Sequence, residues 1–215
     1  MSRKEPEPAK EQPYWTHDAA LFTGRFRYFS RELEPVEVRG KIHLSQEPYR
    51  LQQAETAIEP IQHLTGTRSY VHLKPFVLVP DLILTVGLSP KPRQYADQDP
   101  AIGEVIGARE QKMKEVEIGQ CQAWYYPKDQ TIIVWECLLH HFVQEKPLLD
   151  DHNMTAYWQG FERFLLQQFP NASQIATPYH DPEYDFAEYQ QFLTTLGYWP
   201  HPTAKAAWSK PIVRE

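Results

Sequence analysis

The densest set of side chains that could ligate a metal or transfer protons lies between positions 140 and 152. His140 and His141 end an apolar run, and Asp150, Asp151 and His152 follow after a polar loop. Imidazole and carboxylate groups hold divalent ions and exchange protons. Successive residues of a strand point to opposite faces, so His140 and His141 cannot both ligate one ion in regular geometry. A solvated strand end followed by a helix cap explains all five side chains, and we predict no metal site.

A second set of charged residues has the order of a nuclease centre. Asp81 follows a proline, and Glu110 and Lys112 come later in the chain. This order loosely resembles the restriction-type nuclease fold, in which carboxylates hold a divalent ion and a lysine positions the attacking water. Two unrelated surface charges are the favoured interpretation, because the segment around Glu110 has a helical composition. A metal-dependent nuclease stays an alternative.

Nucleotide-driven and serine-hydrolase chemistries lack their motifs, since the sequence contains no Gly-x-Gly-x-x-Gly, no phosphate-binding loop and no Gly-x-Ser-x-Gly. The two cysteines, Cys121 and Cys137, lie inside apolar segments, where a thiol is usually a small buried hydrophobe. Two registers of the hairpin that carries them are open. A regular ladder puts the thiols on opposite faces, and a one-residue bulge puts them side by side.

Length and composition predict one folded domain. The 215 residues are 41% hydrophobic and 13% aromatic, which is enough for one well-packed core. Residues 1–13 predict a disordered tail, so the domain spans residues 14–215. A net charge of -6 disfavours nucleic-acid binding. No apolar segment approaches the roughly 20 residues needed to cross a bilayer, and the N-terminus is not signal-like. We therefore expect no membrane association, a cytoplasmic location and reduced thiols.

The elements that must position these residues are clearest over residues 131–200, where the order is strand, helix, strand, helix. Residues 131–142 predict a strand covered on both faces, and residues 175–176 a short second strand. The first helix is predicted by apolar residues at helical spacing: Met154, Tyr157, Trp158, Phe161, Phe164, Leu165 and Phe169. A second stripe, ended by Gly197, predicts the second helix: Phe186, Tyr189, Phe192, Leu193 and Leu196.

The first part of the chain predicts strands followed by a helix. Apolar and charged residues alternate over residues 14–44, which indicates half-exposed strands, with Gly40 as a bulge or a turn. Residues 47–64 are rich in good helix formers and predict a helix.

The middle of the chain predicts further strands and a loop. Strand segments within residues 70–86 are split by Lys74-Pro75, because proline cannot donate to a ladder. Residues 87–100 predict a long surface loop and residues 101–115 a short helix. A hairpin then joins residues 116–126 to the strand that begins at Thr131, and residues 206–213 predict a last strand.

The element order from Thr131 to Pro211, with Gly197-Tyr198 after the last helix, resembles the second half of the GNAT acyltransferase fold. The resemblance implies a single mixed α/β domain whose central mixed sheet is flanked by helices on both sides. It also implies acetyl-CoA as the cofactor and a small amine as the acceptor substrate. In that family the first of these strands lines the pantetheine arm, and the loop and helix N-terminus that follow hold the pyrophosphate.

The resemblance also implies site residues. The cofactor contacts it implies lie on the first strand and at the start of the following helix: Val134, Trp135, Asn153, Met154 and Thr155. It places Glu136 or His140 on the central strand as the base that deprotonates the amine, a role that requires a pKa near the working pH.

Two positions differ from the family pattern and keep other hypotheses open. Residues 143–153 contain no glycine and carry Asp150 and Asp151, where the family has a glycine-rich turn. Leu193 stands where many members place a tyrosine acid. One hypothesis is therefore a degenerate, non-catalytic member of this fold. Another is an interaction module that docks a partner protein through its aromatic surface and the loop of residues 87–100.

Overall fold

The computed structural model of this protein describes residues 17–24, 27–28, 31–32, 36–50, 63–80, 113–139, 152–178, 186–200 and 207–213. The strands in these ranges are β1 (His17–Gly24), β2 (Arg27–Tyr28), β3 (Arg31–Glu32), β4 (Val36–Arg50), β5 (Thr65–Pro80), β6 (Met113–Glu117), β7 (Gly119–Tyr126), β8 (Thr131–Leu139), β9 (Gln174–Pro178), β10 (Trp199–Pro200) and β11 (Ala207–Pro211). The helices are α1 (His152–Gln168) and α2 (Phe186–Thr195). The predicted tail, residues 1–13, lies outside the described residues.

One nine-stranded sheet organises the described residues in the order β1-β4-β5-β7-β8-β9-β11-β10, with β6 paired to β5 beside this path. Its neighbours are antiparallel except for β8 and β9, which are parallel. Parallel neighbours need a crossover connection, and α1 lies on the connection between β8 and β9. The fold is mixed α/β, mostly strand, with a predominantly antiparallel sheet. The predicted last strand is present as β11.

The apolar core forms where both described helices meet the sheet. Six of the seven predicted α1 positions are buried, and Phe169 packs against the same core just after the helix ends. The α2 positions Tyr189, Phe192, Leu193 and Leu196 join this core as predicted. The Phe192 ring lies 5.9 Å from the Trp158 ring of α1. Within the described residues both helices therefore share one core, and the predicted second layer of helices is not found there.

The helix predicted over residues 47–64 is wrong where the structure describes it. Residues 47–50 continue β4 and pair with β5, down to Arg50 opposite Thr65. The Tyr49 ring is buried edge-on against Tyr126 at 4.9 Å. Cross-strand packing of this kind outweighs local helix propensity. Residues 51–62 lie outside the described part.

The short helix predicted over residues 101–115 is also wrong at its end, because Met113–Glu117 is a strand, β6, that pairs with β5. Residues 101–112 and the predicted loop of residues 87–100 lie outside the described part. The hairpin that follows is confirmed, with its first arm broken at Ile118 between β6 and β7.

Strand β5 runs through Lys74-Pro75 without the predicted split. A strand residue points its nitrogen and its carbonyl oxygen to the same side. The Pro75 oxygen accepts a hydrogen bond of 2.9 Å from Ile118 N–H, so the proline nitrogen faces the break between β6 and β7. Proline has no N–H group to donate. At this break no neighbouring strand residue needs that donor, so no ladder hydrogen bond is lost and β5 continues through Pro75.

Gly40 forms neither a bulge nor a turn, because it pairs with Ala19 on one side and Pro75 on the other. The irregularity falls instead in β1, between Ala20 and Phe22. A Cβ atom at Gly40 would lie 3.1 Å from the Leu73 side chain. Close packing over the sheet therefore accounts for this glycine.

The exit of α2 at Gly197-Tyr198 is confirmed in detail. Gly197 has a φ of +85°, a conformation that costs a residue with a Cβ about 1–2 kcal/mol. Tyr198 N–H donates to Leu193 O and Gly197 N–H donates to Thr194 O, each at 3.0 Å. These two bonds satisfy carbonyls that the helix leaves open.

Gly197→Ala is expected to lower the free energy of unfolding by about 1 kcal/mol, because alanine is strained in the left-handed region. Gly197→Asn is the matched control and should lose less, since asparagine adopts this conformation more readily. Urea denaturation measures both. Equal losses for the two variants would contradict the role of backbone conformation at this position.

Candidate functional site

The parallel seam between β8 and β9 is short. It contains three residue pairs and ends at Ile133 opposite Ala176. Strand β9 continues through Thr177 and Pro178, which pair with β11. Strand β8 continues to Leu139 along β7. Among the described residues, the two strands therefore form no ladder pair beyond Ile133, and the seam stops one residue before Val134.

A bulge in β8 lies directly beyond the end of this seam. Gln122 pairs with Glu136, but the next β7 residue, Ala123, pairs with Val134, so Trp135 is the extra residue. A bulge re-aims the side chains around it and increases the local twist. Of the two registers left open by the sequence, the bulged one is present.

The bulge places the two thiols side by side on the face of the sheet that packs against the helices. Cys121 Sγ lies 3.3 Å from Cys137 Sγ and 3.0 Å from the Tyr157 hydroxyl oxygen. Both cysteines are free and buried, and burial raises the pKa of the Cys137 thiol well above its usual value. A buried thiol whose pKa is raised is a poor nucleophile, and both cysteines belong to the apolar core.

The opposite face of the same strands carries a polar network. Glu136 accepts a hydrogen bond from Gln120 Nε2 at 3.0 Å on one oxygen and from Gln122 Nε2 at 3.1 Å on the other. The Tyr70 hydroxyl donates to Gln122 Oε1 at 3.1 Å. Burial raises the pKa of Tyr70, and the nearby Glu136 charge adds to this effect. The glutamate carboxylate is thus oriented through both of its oxygens.

Aromatic rings lie on the same three neighbouring strands as this carboxylate and its hydrogen-bond partners. The Trp124 ring lies 5.7 Å from the Trp135 ring in an edge-on arrangement and 5.5 Å from the Tyr70 ring. Trp135 remains 40% exposed. We call Tyr70, Trp124, Trp135 and Glu136 the aromatic patch. It lies on three adjacent strands, β5, β7 and β8, next to the end of the parallel seam.

A cation already lies at one edge of the aromatic patch. The Arg68 guanidinium carbon lies 5.1 Å from the centre of the Trp124 ring. Arg68 is paired with Glu47 at 2.6 Å and donates to the Tyr126 hydroxyl at 3.0 Å. One face of the Trp124 indole is therefore in contact with the Arg68 guanidinium. That guanidinium is itself paired with the Glu47 carboxylate.

The predicted cofactor residues of α1 lie in its first turn. Asn153 and Met154 are buried, and Thr155 is half-buried. Met154 belongs to the same core as Cys137 and Leu139, near the C-terminal end of β8. No acidic residue occurs in this first turn. The first turn of α1 therefore contributes to the core that β8 also joins, and it carries no negative charge of its own.

The predicted site residues are described in part. Val134 is buried at the end of the seam, with Trp135 and Glu136 beside it. His140, His141, Asp150 and Asp151 lie outside the described residues, as do the nuclease candidates, namely Asp81, Glu110 and Lys112. Within the described ranges, no group of three or more His, Cys, Asp or Glu residues could hold a metal ion.

Four side chains of this network were not predicted from the sequence: Gln120, Gln122, Trp124 and Tyr70. A signal for three of them is present in β7, where Gln120, Gln122 and Trp124 occupy alternate positions and so share one face. That signal becomes informative only when the register places these side chains opposite Glu136.

The chain matches no protein-family model, no curated protein and no solved structure at a significant level. None of the helices described here is long and apolar enough to cross a membrane.

Proposed function

We propose that this protein is a GNAT-like N-acyltransferase that moves an acetyl group from acetyl-CoA to an amine. The observation that carries the proposal is the seam between β8 and β9, which ends at Ile133 and Ala176. Beyond it, Val134 and Trp135 border a position where β8 pairs only with β7 among the described residues. An extended pantetheine arm can pair there with backbone groups of the strand, as an added strand does at a sheet edge.

The connectivity of the second half supports the same proposal. Helix α1 joins two parallel neighbours, β8 and β9, and α2 leads on to the antiparallel pair β10 and β11. Strand β11 returns between β9 and β10 in the sheet. This is the strand, helix, strand, helix order of the resemblance, with Gly197-Tyr198 at the exit of the second helix.

The first turn of α1 offers backbone N–H groups to the phosphate groups of the cofactor and carries no acid of its own, although Asp150 and Asp151 directly precede it. Helix N-termini offer backbone N–H groups and a positive dipole end, which attract anions. The first turn carries Asn153, Met154 and Thr155 and no acid. These residues would hold the pyrophosphate through their backbone, and acetyl-CoA would supply the activated thioester carbonyl.

Glu136 is the base in this proposal. It takes one proton from the bound ammonium, and the nitrogen lone pair then forms the new bond to the thioester carbon. The carbon–sulfur bond breaks, and the leaving sulfur receives the second proton of the nitrogen. Leu193 is fully buried and has no acidic group, so it supplies packing at the position where a tyrosine acid stands in the family.

Acetyl-CoA is expected to raise the melting temperature. A ligand at about 100 times its Kd stabilises the native state by about 2.7 kcal/mol, which corresponds to a shift of about 5–10 °C for a protein of this size. Differential scanning fluorimetry measures the shift. Thr155→Glu should abolish it, because a carboxylate in the first turn repels pyrophosphate while leaving the helix dipole satisfied.

Gln167→Glu, which adds the same charge at an exposed site near the far end of α1, is the matched control and should keep the shift. An unchanged melting temperature of the unmodified protein at saturating acetyl-CoA would reject the proposal. The interaction module would then be the leading hypothesis.

A further inference from the structure

Glu136 differs from most other described glutamates in its partners. Five of them form salt bridges with a lysine or an arginine: Glu37, Glu47, Glu115, Glu117 and Glu162. Glu136 accepts two amide hydrogen bonds instead, and no described lysine or arginine forms a salt bridge with it. A half-buried carboxylate that is held in place by neutral amides, and is paired with no described lysine or arginine, can attract a cation from solution.

The aromatic rings of the patch suit an organic cation. Aromatic faces attract ammonium groups within about 6 Å of the ring centre, and tryptophan does so best. The Trp124 and Trp135 rings meet edge-on at 5.7 Å, so their faces point in different directions around the patch. One face of Trp124 is already occupied by the Arg68 guanidinium, whose carbon lies 5.1 Å from the ring centre.

We infer that the aromatic patch binds a primary ammonium ion attached to an apolar or aromatic body, with Glu136 pairing the charge and Trp135 covering the body. This inference rests on the proposed function, in which that ligand is the acceptor. Trp135 supplies the exposed apolar surface, since it is 40% exposed beside a half-buried carboxylate. Burial of apolar surface against Trp135 selects against small, strongly hydrated amines.

The test is a tryptophan fluorescence titration of the full chain with 2-phenylethylamine at neutral pH, in the absence of acetyl-CoA. The amine should bind saturably, and 2-phenylethanol, which has the same body without the charge, should bind at least tenfold more weakly. Glu136→Gln should weaken amine binding about tenfold or more, because it removes the charge and keeps the shape. Trp135→Ala should weaken it several-fold.

Glu37→Gln is the matched control, because it removes an exposed carboxylate elsewhere on the sheet, and it should leave amine binding unchanged. Equal affinities for the amine and the alcohol, or amine binding that survives Glu136→Gln, would overturn the inference. Amine binding without any acetyl-CoA stabilisation would support this site and reject acyl transfer. Acetyl-CoA stabilisation without amine binding would do the reverse.

Discussion

In the proposed acyl transfer, replacing Glu136 by glutamine is expected to lower the rate by about 100- to 10,000-fold, the usual contribution of a positioned general base. Glutamine keeps the shape of the side chain, and its carbonyl oxygen can still accept from Gln120 or Gln122, so the strand pairing around it should persist. The measurement is kcat/KM for 2-phenylethylamine with acetyl-CoA, in an assay that detects the free thiol of the released CoA.

The pH profile separates a base from a residue that only supports the strand. Without Glu136 the proposed acyl transfer depends on amine that is already deprotonated, so kcat/KM of Glu136→Gln should rise with pH toward the amine's own pKa, near 10 for a simple alkylamine. The unmodified protein should reach its plateau at lower pH. Glu37→Gln should behave as the unmodified protein. A loss in Glu136→Gln that is the same at every pH would indicate a structural role.

Local periodicity was sufficient to predict the two described helices, α1 and α2. The α1 stripe from Met154 to Leu165 is buried as predicted, because a helix is defined by residues close in sequence and its apolar face reports its contact with the core. The Gly197 exit was predictable for the same reason, since one residue sets the backbone conformation and its neighbours complete the hydrogen bonds.

The first half was less predictable because its strands depend on distant partners. Residues 47–50 have helix-forming neighbours, yet pairing with β5 and packing of Tyr49 against Tyr126 make them a strand. Pro75 looked like a strand break, and only the position of Ile118 on the next strand shows why it is tolerated. Neither effect can be seen in a window of sequence around the residue concerned.

The candidate site depends on one residue of register. The alternation of β7 and β8 permits either a regular ladder or a bulge, and the two choices put Glu136 on different faces relative to Gln122. The bulge at Trp135 brings Cys121 to Cys137 on one face and Gln120 and Gln122 to Glu136 on the other. Glu136 could therefore be named from its strand, whereas its hydrogen-bond partners required the fold.

A second glutamate, Glu162, connects helix α1 to Tyr198, which follows α2, and to Lys210 of strand β11. It lies on α1, is only 6% exposed, and accepts from the Tyr198 hydroxyl at 2.6 Å and from Lys210 Nζ at 2.7 Å. Lys210 also donates to Leu196 O at 3.0 Å, and Trp158 Nε1 donates to the Tyr198 hydroxyl at 3.3 Å. Burial and the Glu162 charge raise the pKa of Tyr198 well above its usual value, so its hydroxyl stays a donor.

Glu162→Ala is therefore expected to lower the free energy of unfolding by about 3 kcal/mol, because it leaves a buried hydroxyl without its acceptor and an ammonium without its counter-charge. Urea denaturation followed by circular dichroism measures the loss. Gln167→Ala, an exposed change on the same helix, should alter stability by no more than about 0.5 kcal/mol.

The reason for the loss can be tested by removing the second charge as well. If the uncompensated Lys210 ammonium is a large part of the cost, Lys210→Met in the Glu162→Ala background should restore part of the stability, because a methionine of similar length keeps the packing without the charge. Lys210→Met alone should destabilise, since it leaves the buried Glu162 carboxylate with Tyr198 as its remaining described partner. Losses that simply add in the double variant would mean that the two side chains stabilise the protein independently.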